Sequence, residues 1–121
     1  MIALTEWQIV RHQVAIGGCV VDVDGQPVAK AEIMITSMPD RFKRLLEGAA
    51  AAAKDWEQAK RRLDRTVVEN DGFYYFLDLP VGKYRVRAAD PKSGKHSEKT
   101  VSVSKDEAQN IKMARADFKF G

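Results

Sequence analysis

The side chains that most often carry catalytic or metal chemistry are few in this sequence. The two histidines, His12 and His96, lie far apart, whereas a zinc site needs three or four ligands, usually with local spacing. Cys19 is the single cysteine, and no basic or helix-terminal neighbours adjoin it to make its thiol reactive. The sequence therefore predicts no catalytic residue, no metal ligand and no cofactor.

Several carboxylate and amide side chains could suggest a calcium site, because their oxygens are the ligands that this ion prefers. They occur at positions where tight turns favour Asx residues, and they lack the short alternating run with a terminal glutamate of a helix–loop–helix site. We interpret them as turn residues. They are Asp22, Asp24, Asn70, Asp71 and Asp78.

The positive charge is concentrated in residues 40–65. This stretch holds eight Lys or Arg and five acids, and its surplus of three equals the net charge of the whole chain. Basic residues in a last helical turn are favoured by the helix dipole, and no base-stacking motif accompanies them. Nucleic-acid binding is not expected.

Targeting signals are also missing from the pattern. Glu6 stands where a secretion signal would be basic, and no segment approaches the eighteen apolar residues of a membrane span. We expect a cytoplasmic protein without membrane contact, or one incorporated into a larger particle.

Two matching stretches define the elements that position these side chains. In each, apolar residues recur at every second position and break at Asp-Gly, which is typical of half-buried antiparallel strands joined by tight turns. The pattern consists of Gly18, Val20, Asp24-Gly25, Ala31, Ile33 and Ile35 in the first stretch, and of Val68, Asn70-Asp71-Gly72, Tyr74, Phe76, Tyr84 and Val86 in the second.

Together the two stretches resemble the carboxypeptidase regulatory-like family, a small Greek-key β-sandwich related in fold to transthyretin. The resemblance covers about residues 14–36 and 66–114. It implies a mainly β protein with seven antiparallel strands. The length of 121 residues predicts a single domain over residues 1–121. In the peptidases this domain is the non-catalytic appendage, so the resemblance implies that the chain is not an enzyme. The histidine, arginine and tyrosine groupings of the enzymes with related sandwiches are not found here.

The alternation also predicts which side chains form the core. One residue in two along each strand should point between the sheets. The predicted core consists of Val14, Ile16, Val20, Val28, Ile33, Ile35, Val68, Tyr74, Phe76, Leu79, Tyr84, Val86, Val101, Val103, Ile111 and Met113.

Residues 37–65 have a different character and predict a helical insertion, over about 39–64, between strands two and three. Strong helix formers run through this stretch, and Phe42, Leu45, Trp56 and Leu63 belong to one apolar seam. The seam could pack on its own sandwich or on another subunit. Chain closure slightly favours a helical hairpin broken near Gly48 over one straight helix.

Both ends extend past the resemblance, as arms over residues 1–12 and 115–121. Phe118 and Phe120 alternate out of phase with Ile111 and Met113, which predicts a bulge or an exit from the sheet. Such apolar arms could pair with each other or lend a strand to a neighbour.

Two aromatic residues are predicted on the outside of the sandwich. Phe73 and Tyr75 alternate with the inward Tyr74 and Phe76, and we expect Met34 and Val67 beside them. Because a monomer rarely leaves such a patch bare, the insertion, a sugar or a partner protein should cover it.

These observations predict a non-catalytic structural or adaptor subunit of a larger protein assembly, acting by self-association or through a protein partner. Domains that resemble this one occur in phage-tail-like and contractile injection particles. The alternative is a carbohydrate- or peptide-binding module that uses the exposed aromatic face. The candidate interaction residues are Phe42, Leu45, Trp56, Leu63, Phe73, Tyr75, Phe118 and Phe120.

Overall fold

A computed structural model describes residues 13–52 and 63–120 of the protein. These residues form nine strands and one helix, α1, which spans Asp40–Ala52 between the second and third strands. The strands are β1 (Val14–Val21), β2 (Glu32–Ser37), β3 (Arg65–Val67), β4 (Phe73–Leu77), β5 (Gly82–Ala89), β6 (His96–Lys105), β7 (Ile111–Lys112), β8 (Ala114–Arg115) and β9 (Phe118–Lys119).

The strands form two sheets. The first has the order β4-β1-β8, with β9 also paired to β1, and the second has the order β3-β2-β5-β6-β7. The long neighbours β1 and β4, β2 and β5, and β5 and β6 run antiparallel, whereas β8 and β9 run parallel to β1. The predicted mainly β fold with a helical insertion is confirmed. The count of seven strands, all antiparallel, is wrong, because the C-terminal residues add two short parallel strands.

Most of the predicted core is buried between the sheets. Val28, Val101 and Ile111 are partly buried against it. The predicted residue Val14 is partly exposed and does not belong to the core. The structure adds four small alanines and three phenylalanines that the predicted core did not include. The predicted residues that are buried are Ile16, Val20, Ile33, Ile35, Val68, Tyr74, Phe76, Leu79, Tyr84, Val86 and Val103, and the added ones are Ala15, Ala31, Ala88, Ala116, Phe42, Phe118 and Phe120.

Met113 was predicted in the core, but half of its side chain is exposed. The chain crosses from the second sheet to the first between β7 and β8, and Met113 is the single residue at this crossing. The two-residue alternation stops there, because Ile111 packs inward from one sheet and Ala114 from the other. Phe118 and Phe120 are thus out of phase with Ile111 because the chain moves from the second sheet to the first between them.

The insertion begins with a helix that is anchored on its own sandwich. Phe42 is 2% exposed, and its ring lies edge-on to that of Tyr84, with the centroids 5.7 Å apart. Leu46, one turn later, also packs against the core, whereas Leu45 is exposed. Because α1 continues through Gly48 to Ala52, the predicted break near Gly48 is wrong. Residues 53–62, including Trp56, lie outside the described residues.

The C-terminal segment was predicted to be an arm outside the domain, but it lies in the first sheet. Phe118 and Phe120 are buried in the core, and the Ala116 N–H donates to the Gly17 carbonyl at 3.0 Å. A side chain at Gly18 would clash with the Ala116 carbonyl, so only glycine admits this close approach. The N-terminal arm, residues 1–12, lies outside the described residues.

Candidate functional site

The outward side of β4 carries a row of exposed apolar side chains. Phe73, Tyr75 and Leu77 are 49%, 50% and 41% exposed, whereas the intervening Tyr74 and Phe76 are buried. This follows from the alternation of side chains along a strand, which points successive residues to opposite faces of the sheet. One face of β4 therefore builds the core and the other presents an apolar row to solvent.

The neighbouring strand adds little cover to this row. Gly17 of β1 is paired with Tyr75, and Cys19 is paired with Phe73. On the far side of β1, the Met113 sulfur lies 3.4 Å from the position that a Cβ of Gly17 would take. We call the surface formed by Phe73, Tyr75, Leu77 and Met113, which surround the buried Gly17, the apolar outer face.

A charged pair borders the apolar outer face on the side of β8. Arg115 Nε lies 2.9 Å from Asp117 Oδ2, and the Cys19 N–H donates to Asp117 Oδ1 at 2.9 Å. Partial burial raises the pKa of the Asp117 carboxyl, but the hydrogen bonds from Arg115 and Cys19 outweigh it, so this pKa lies below its usual value. The same hydrogen bond raises the pKa of Arg115. The Asp117 carboxylate and the Arg115 guanidinium are therefore both ionised, and their opposite charges form an ion pair.

The backbone of β4 has one open side. The Val20 N–H donates to the Gly72 carbonyl at 2.8 Å, and this bond fixes which residues of the antiparallel pair exchange hydrogen bonds. By alternation, Tyr74 and Phe76 direct their N–H and C=O groups toward β1. Tyr75 and Leu77 direct theirs away, and no strand within residues 13–52 and 63–120 pairs with that side.

The start of this open edge is partly occupied by its own turn. The Phe73 N–H donates to Asp71 Oδ1 at 3.0 Å, and the Phe73 carbonyl accepts from the Glu69 N–H at 2.9 Å. Glu69 therefore occupies the edge beside Phe73, and the open groups are the N–H and C=O of Tyr75 and Leu77.

The β6 edge of the second sheet is protected against pairing with another strand, whereas the edge at β4 is not. Most of β6 lies at that edge, since β7 pairs only with Ser104 and Lys105. Its side chains include Glu98 and Lys99, and Lys99 points inward, with Nζ 5.7 Å from the centroid of the Phe118 ring. Charged and inward-pointing lysines block edge-to-edge pairing. The row Phe73, Tyr75 and Leu77 contains no charged residue and no proline.

The other candidate interaction residues are not brought together with this face. Leu45 and Leu63 are exposed elsewhere, on α1 and just before β3. The structure places Phe42, Phe118 and Phe120 inside the sandwich, where their side chains present no outer surface, and Trp56 lies outside the described residues.

Met34 and Val67 were expected beside Phe73 and Tyr75, but they belong to β2 and β3 of the other sheet. The chain changes sheets in the turn between β3 and β4, so residues close in sequence end on opposite sides of the sandwich. Within its described part, α1 packs at the Tyr84 end and leaves the apolar outer face uncovered.

Leu77 and Met113 were missed as site residues. Leu77 could have been found, because it continues the same alternation by two residues beyond Tyr75. No signal in the sequence marks Met113, whose exposure depends on the crossing between the sheets.

Little in the described residues resembles a reaction centre. In residues 13–52 and 63–120, no group of three His, Cys, Asp or Glu side chains could hold a metal ion. Two open clefts of about 330 and 310 Å³ lie at opposite ends of the sandwich. The first is lined by Arg41, Asp78 and Lys105 among others, and the second by Lys95, His96 and Lys119 among others. The second lining also contains Ser97, but Ser97 and His96 are successive residues of β6, so their side chains point to opposite faces of the strand.

The family model of the carboxypeptidase regulatory-like domain matches residues 15–114, which is most of the chain. The chain belongs to this family. The predicted family membership is thereby confirmed, and the match begins within β1 and ends at β8. The regulatory-like domain is a non-catalytic domain type. A search of curated proteins gives no match. The described part of this regulatory-like domain contains no helix that is long and apolar enough to span a bilayer.

Proposed function

We propose that this regulatory-like domain is a non-catalytic contact module, a structural or adaptor subunit that docks onto protein through the apolar outer face and the open edge of β4. The observation that carries the proposal is the position of Tyr75. Its side chain stands at the centre of an exposed apolar row, and its backbone N–H and C=O lie at an open sheet edge.

The apolar row supplies part of the free energy that a specific contact needs. Complete burial of a Leu or Phe side chain contributes about 1.5–3 kcal/mol, and the side chains of the row are already about half buried. Covering Phe73, Tyr75 and Leu77 would therefore contribute roughly 3 kcal/mol in total, before the hydrogen bonds of the edge are added. An exposed apolar row on an edge strand that contains no charged residue is typical of a binding edge.

An extended protein chain could bind both the open backbone groups at the edge of β4 and the apolar side chains of the outer face. A strand added to a sheet edge uses the open backbone groups for affinity, and the side chains of alternate residues for specificity. Because the N–H and C=O groups of Tyr75 and Leu77 alternate along the edge, another backbone in the extended conformation matches their spacing.

A carbohydrate- or peptide-binding module is the second candidate function. The aromatic rings of Phe73 and Tyr75, two residues apart on one strand, favour it, because flat aromatic rows can stack on sugar rings. Sugars also need polar partners, and the charged groups on the β8 side of this face, Arg115 and Asp117, already bind each other. Binding of a soluble oligosaccharide that perturbs Tyr75 in NMR spectra, with the protein monomeric, would favour this alternative.

The proposal includes the setting in which the contact is made. A cytoplasmic assembly is consistent with the sequence pattern, and a phage-tail-like or contractile injection particle is the type of assembly that the resemblance suggests. Identification of the protein bound at position 75 tests this finer proposal together with the contact itself.

The test is photo-cross-linking in the cells that produce the protein. A photoreactive phenylalanine analogue replaces Tyr75 in one variant, and Val23 in the control variant, since Val23 is exposed in the turn after β1. We expect a discrete protein adduct from position 75 and none from position 23. Absence of a protein adduct at position 75, with the variant folded, would refute the proposed function.

A further inference from the structure

One of the two open clefts combines positive charge with an apolar lining. Its volume of about 330 Å³ lies within the range of ligand-binding clefts in proteins. We propose that this cleft binds a carboxylate that carries an aliphatic group, and that Arg41 and Lys105 hold the carboxylate. The cleft does not include the open edge of β4, so this inference goes beyond the function proposed above and does not depend on it.

Two cationic side chains line the cleft from different elements. Arg41 is the second residue of α1, and Lys105 is the last residue of β6. Both are exposed, and among residues 13–52 and 63–120 neither side chain has an ion-pair or hydrogen-bond partner. A guanidinium and an ammonium group in one cleft are suited to a carboxylate, because hydrogen bonds between oppositely charged groups are about twice as strong as those between neutral groups.

The acidic side chains nearby leave this positive charge in place. Asp78 belongs to the lining, and its Oδ1 accepts the Gln13 N–H at 2.9 Å. Asp106, which follows Lys105, is outside the lining and accepts two N–H groups of its own turn. With Arg41 and Lys105 against Asp78, the lining keeps a net formal charge of +1.

The lining also contains an apolar part that is open to solvent. Leu79 is buried in the core, whereas Val81, two residues later, is 50% exposed. Pro80 lies between them, and Ile111 of β7 is partly buried against the core. An aliphatic group of the ligand would cover this part and remove apolar surface from water. An anion without an apolar part would leave it exposed.

Hydrogen bonds hold the segments of the cleft together. The Ile111 N–H donates to Gln13 Oε1 at 2.7 Å, and Gln13 Nε2 donates to Asn110 Oδ1 at 3.0 Å, which joins the turn before β7 to the start of β1. The Tyr84 hydroxyl donates to the Pro80 carbonyl at 2.5 Å and so fixes the loop between β4 and β5. A site that is formed in advance loses little affinity to ordering when its ligand binds.

The position of Arg41 is set by its neighbours in the same way. A side chain at Gly82 would clash with Pro39, so the loop before β5 lies directly against the residue that precedes α1. Phe42, next to Arg41, is buried against the ring of Tyr84. The first turn of α1 is therefore held beside the cleft.

The first experiment is an NMR titration of the full chain with two carboxylates. N-acetyl-leucine imitates the C-terminus of a peptide, and 4-methylpentanoate imitates a free carboxylic acid. We expect saturable shifts at the amides of Gln109 and Ile111 and none at Tyr75, with a dissociation constant on the order of 1 mM for a ligand of this size. Tighter binding of N-acetyl-leucine assigns a peptide C-terminus, and tighter binding of 4-methylpentanoate assigns a free acid.

The second experiment removes one charge at a time. Arg41→Gln and Lys105→Gln should each raise the dissociation constant on the order of tenfold, because a hydrogen bond between charged groups is lost. Lys43→Gln is the matched control, since it removes the same charge from an exposed position of α1 outside the lining, and it should leave the dissociation constant unchanged. The melting temperature establishes that each variant is folded.

Two further probes separate the contributions of the charge and of the apolar part. N-acetyl-leucinamide lacks the carboxylate and inorganic phosphate lacks the aliphatic group, so both should bind more weakly than N-acetyl-leucine. Equal binding of the amide would overturn the role of Arg41 and Lys105, and equal binding of phosphate would overturn that of the apolar part. The site itself is refuted if neither carboxylate shifts the amides of the cleft far above the expected dissociation constant, or if Lys43→Gln weakens binding as much as Arg41→Gln.

Discussion

The hydroxyl of Tyr74 donates a hydrogen bond of 2.5 Å to the carbonyl of Ala116, which joins the inner side of β4 to the segment between β8 and β9. Both residues are buried, and burial raises the pKa of Tyr74 well above its usual value, so the hydroxyl keeps its proton. The C-terminal segment thus helps to hold β4 in place. The row that faces outward from β4 depends on this inward anchor.

Replacement of Tyr74 by phenylalanine should destabilise the fold without changing its shape. The Ala116 carbonyl would lose its partner in a buried position, which costs about 1–3 kcal/mol in the free energy of unfolding. Urea denaturation followed by circular dichroism measures the change. Tyr75→Phe is the matched control and should leave stability nearly unchanged, because Tyr75 is half exposed. Equal effects of the two substitutions would contradict the role of the Ala116 bond.

The packing of α1 on the sandwich predicts a strong effect at Phe42. Phe42→Ala would leave a cavity beside Tyr84 and should lower the free energy of unfolding by roughly 3–5 kcal/mol. Leu45 lies three residues after Phe42 on the exposed side of α1. Leu45→Ala should therefore change the free energy of unfolding by less than about 0.5 kcal/mol. Thermal and urea unfolding of both variants provide the comparison. If Leu45→Ala were the more damaging change, the helix would pack by a different face.

The decrease in the free energy of unfolding at acidic pH should depend on Asp117. Its pKa in the folded state lies below its usual value, so ionised Asp117 stabilises the fold above the unfolded pKa of about 3.9, and this contribution is lost as the pH falls through the lower folded value. Asp117→Asn removes the ion pair with Arg115 but keeps an oxygen for the Cys19 N–H. Wild type should therefore be more stable than this variant at pH 6, and the difference should shrink below about pH 4.

The measurement for Asp117 is the free energy of unfolding in urea between pH 2 and pH 7. Asp24→Asn, at an exposed turn position, controls for the loss of one negative charge. A difference between wild type and Asp117→Asn that is constant over this pH range would show that the carboxylate does not contribute through its charge.

The alternation of apolar and polar residues in the sequence was sufficient to predict much of the fold. Period-two patterns along β1, β2, β4 and β5 identified buried residues such as Ile33 and Tyr84, because each of these strands has one face in the core. The C-terminal strands could not be predicted in the same way. They are two residues long, they pair in parallel with β1, and the chain changes sheets just before them. Only tertiary structure determines such a crossing.

The candidate site was predictable in part. The exposure of Phe73 and Tyr75 follows from their alternation with Tyr74 and Phe76, and so would that of Leu77. The open backbone edge could not be read from the sequence, since it depends on which strands occupy the two sides of β4. The heptad spacing in the insertion gave Phe42 and Leu45 the same face, but the helix packs through Phe42 and Leu46, which are four residues apart.

The most direct measurement is residue-resolved amide hydrogen exchange along β4, by NMR, in the dissociated and in the assembled protein. Tyr74 and Phe76 should be protected in both states, because their N–H groups face β1 and serve as an internal control. Tyr75 and Leu77 should exchange rapidly in the dissociated chain and become protected in the assembly. Rapid exchange of Tyr75 and Leu77 in the assembled protein would contradict docking at the edge of β4.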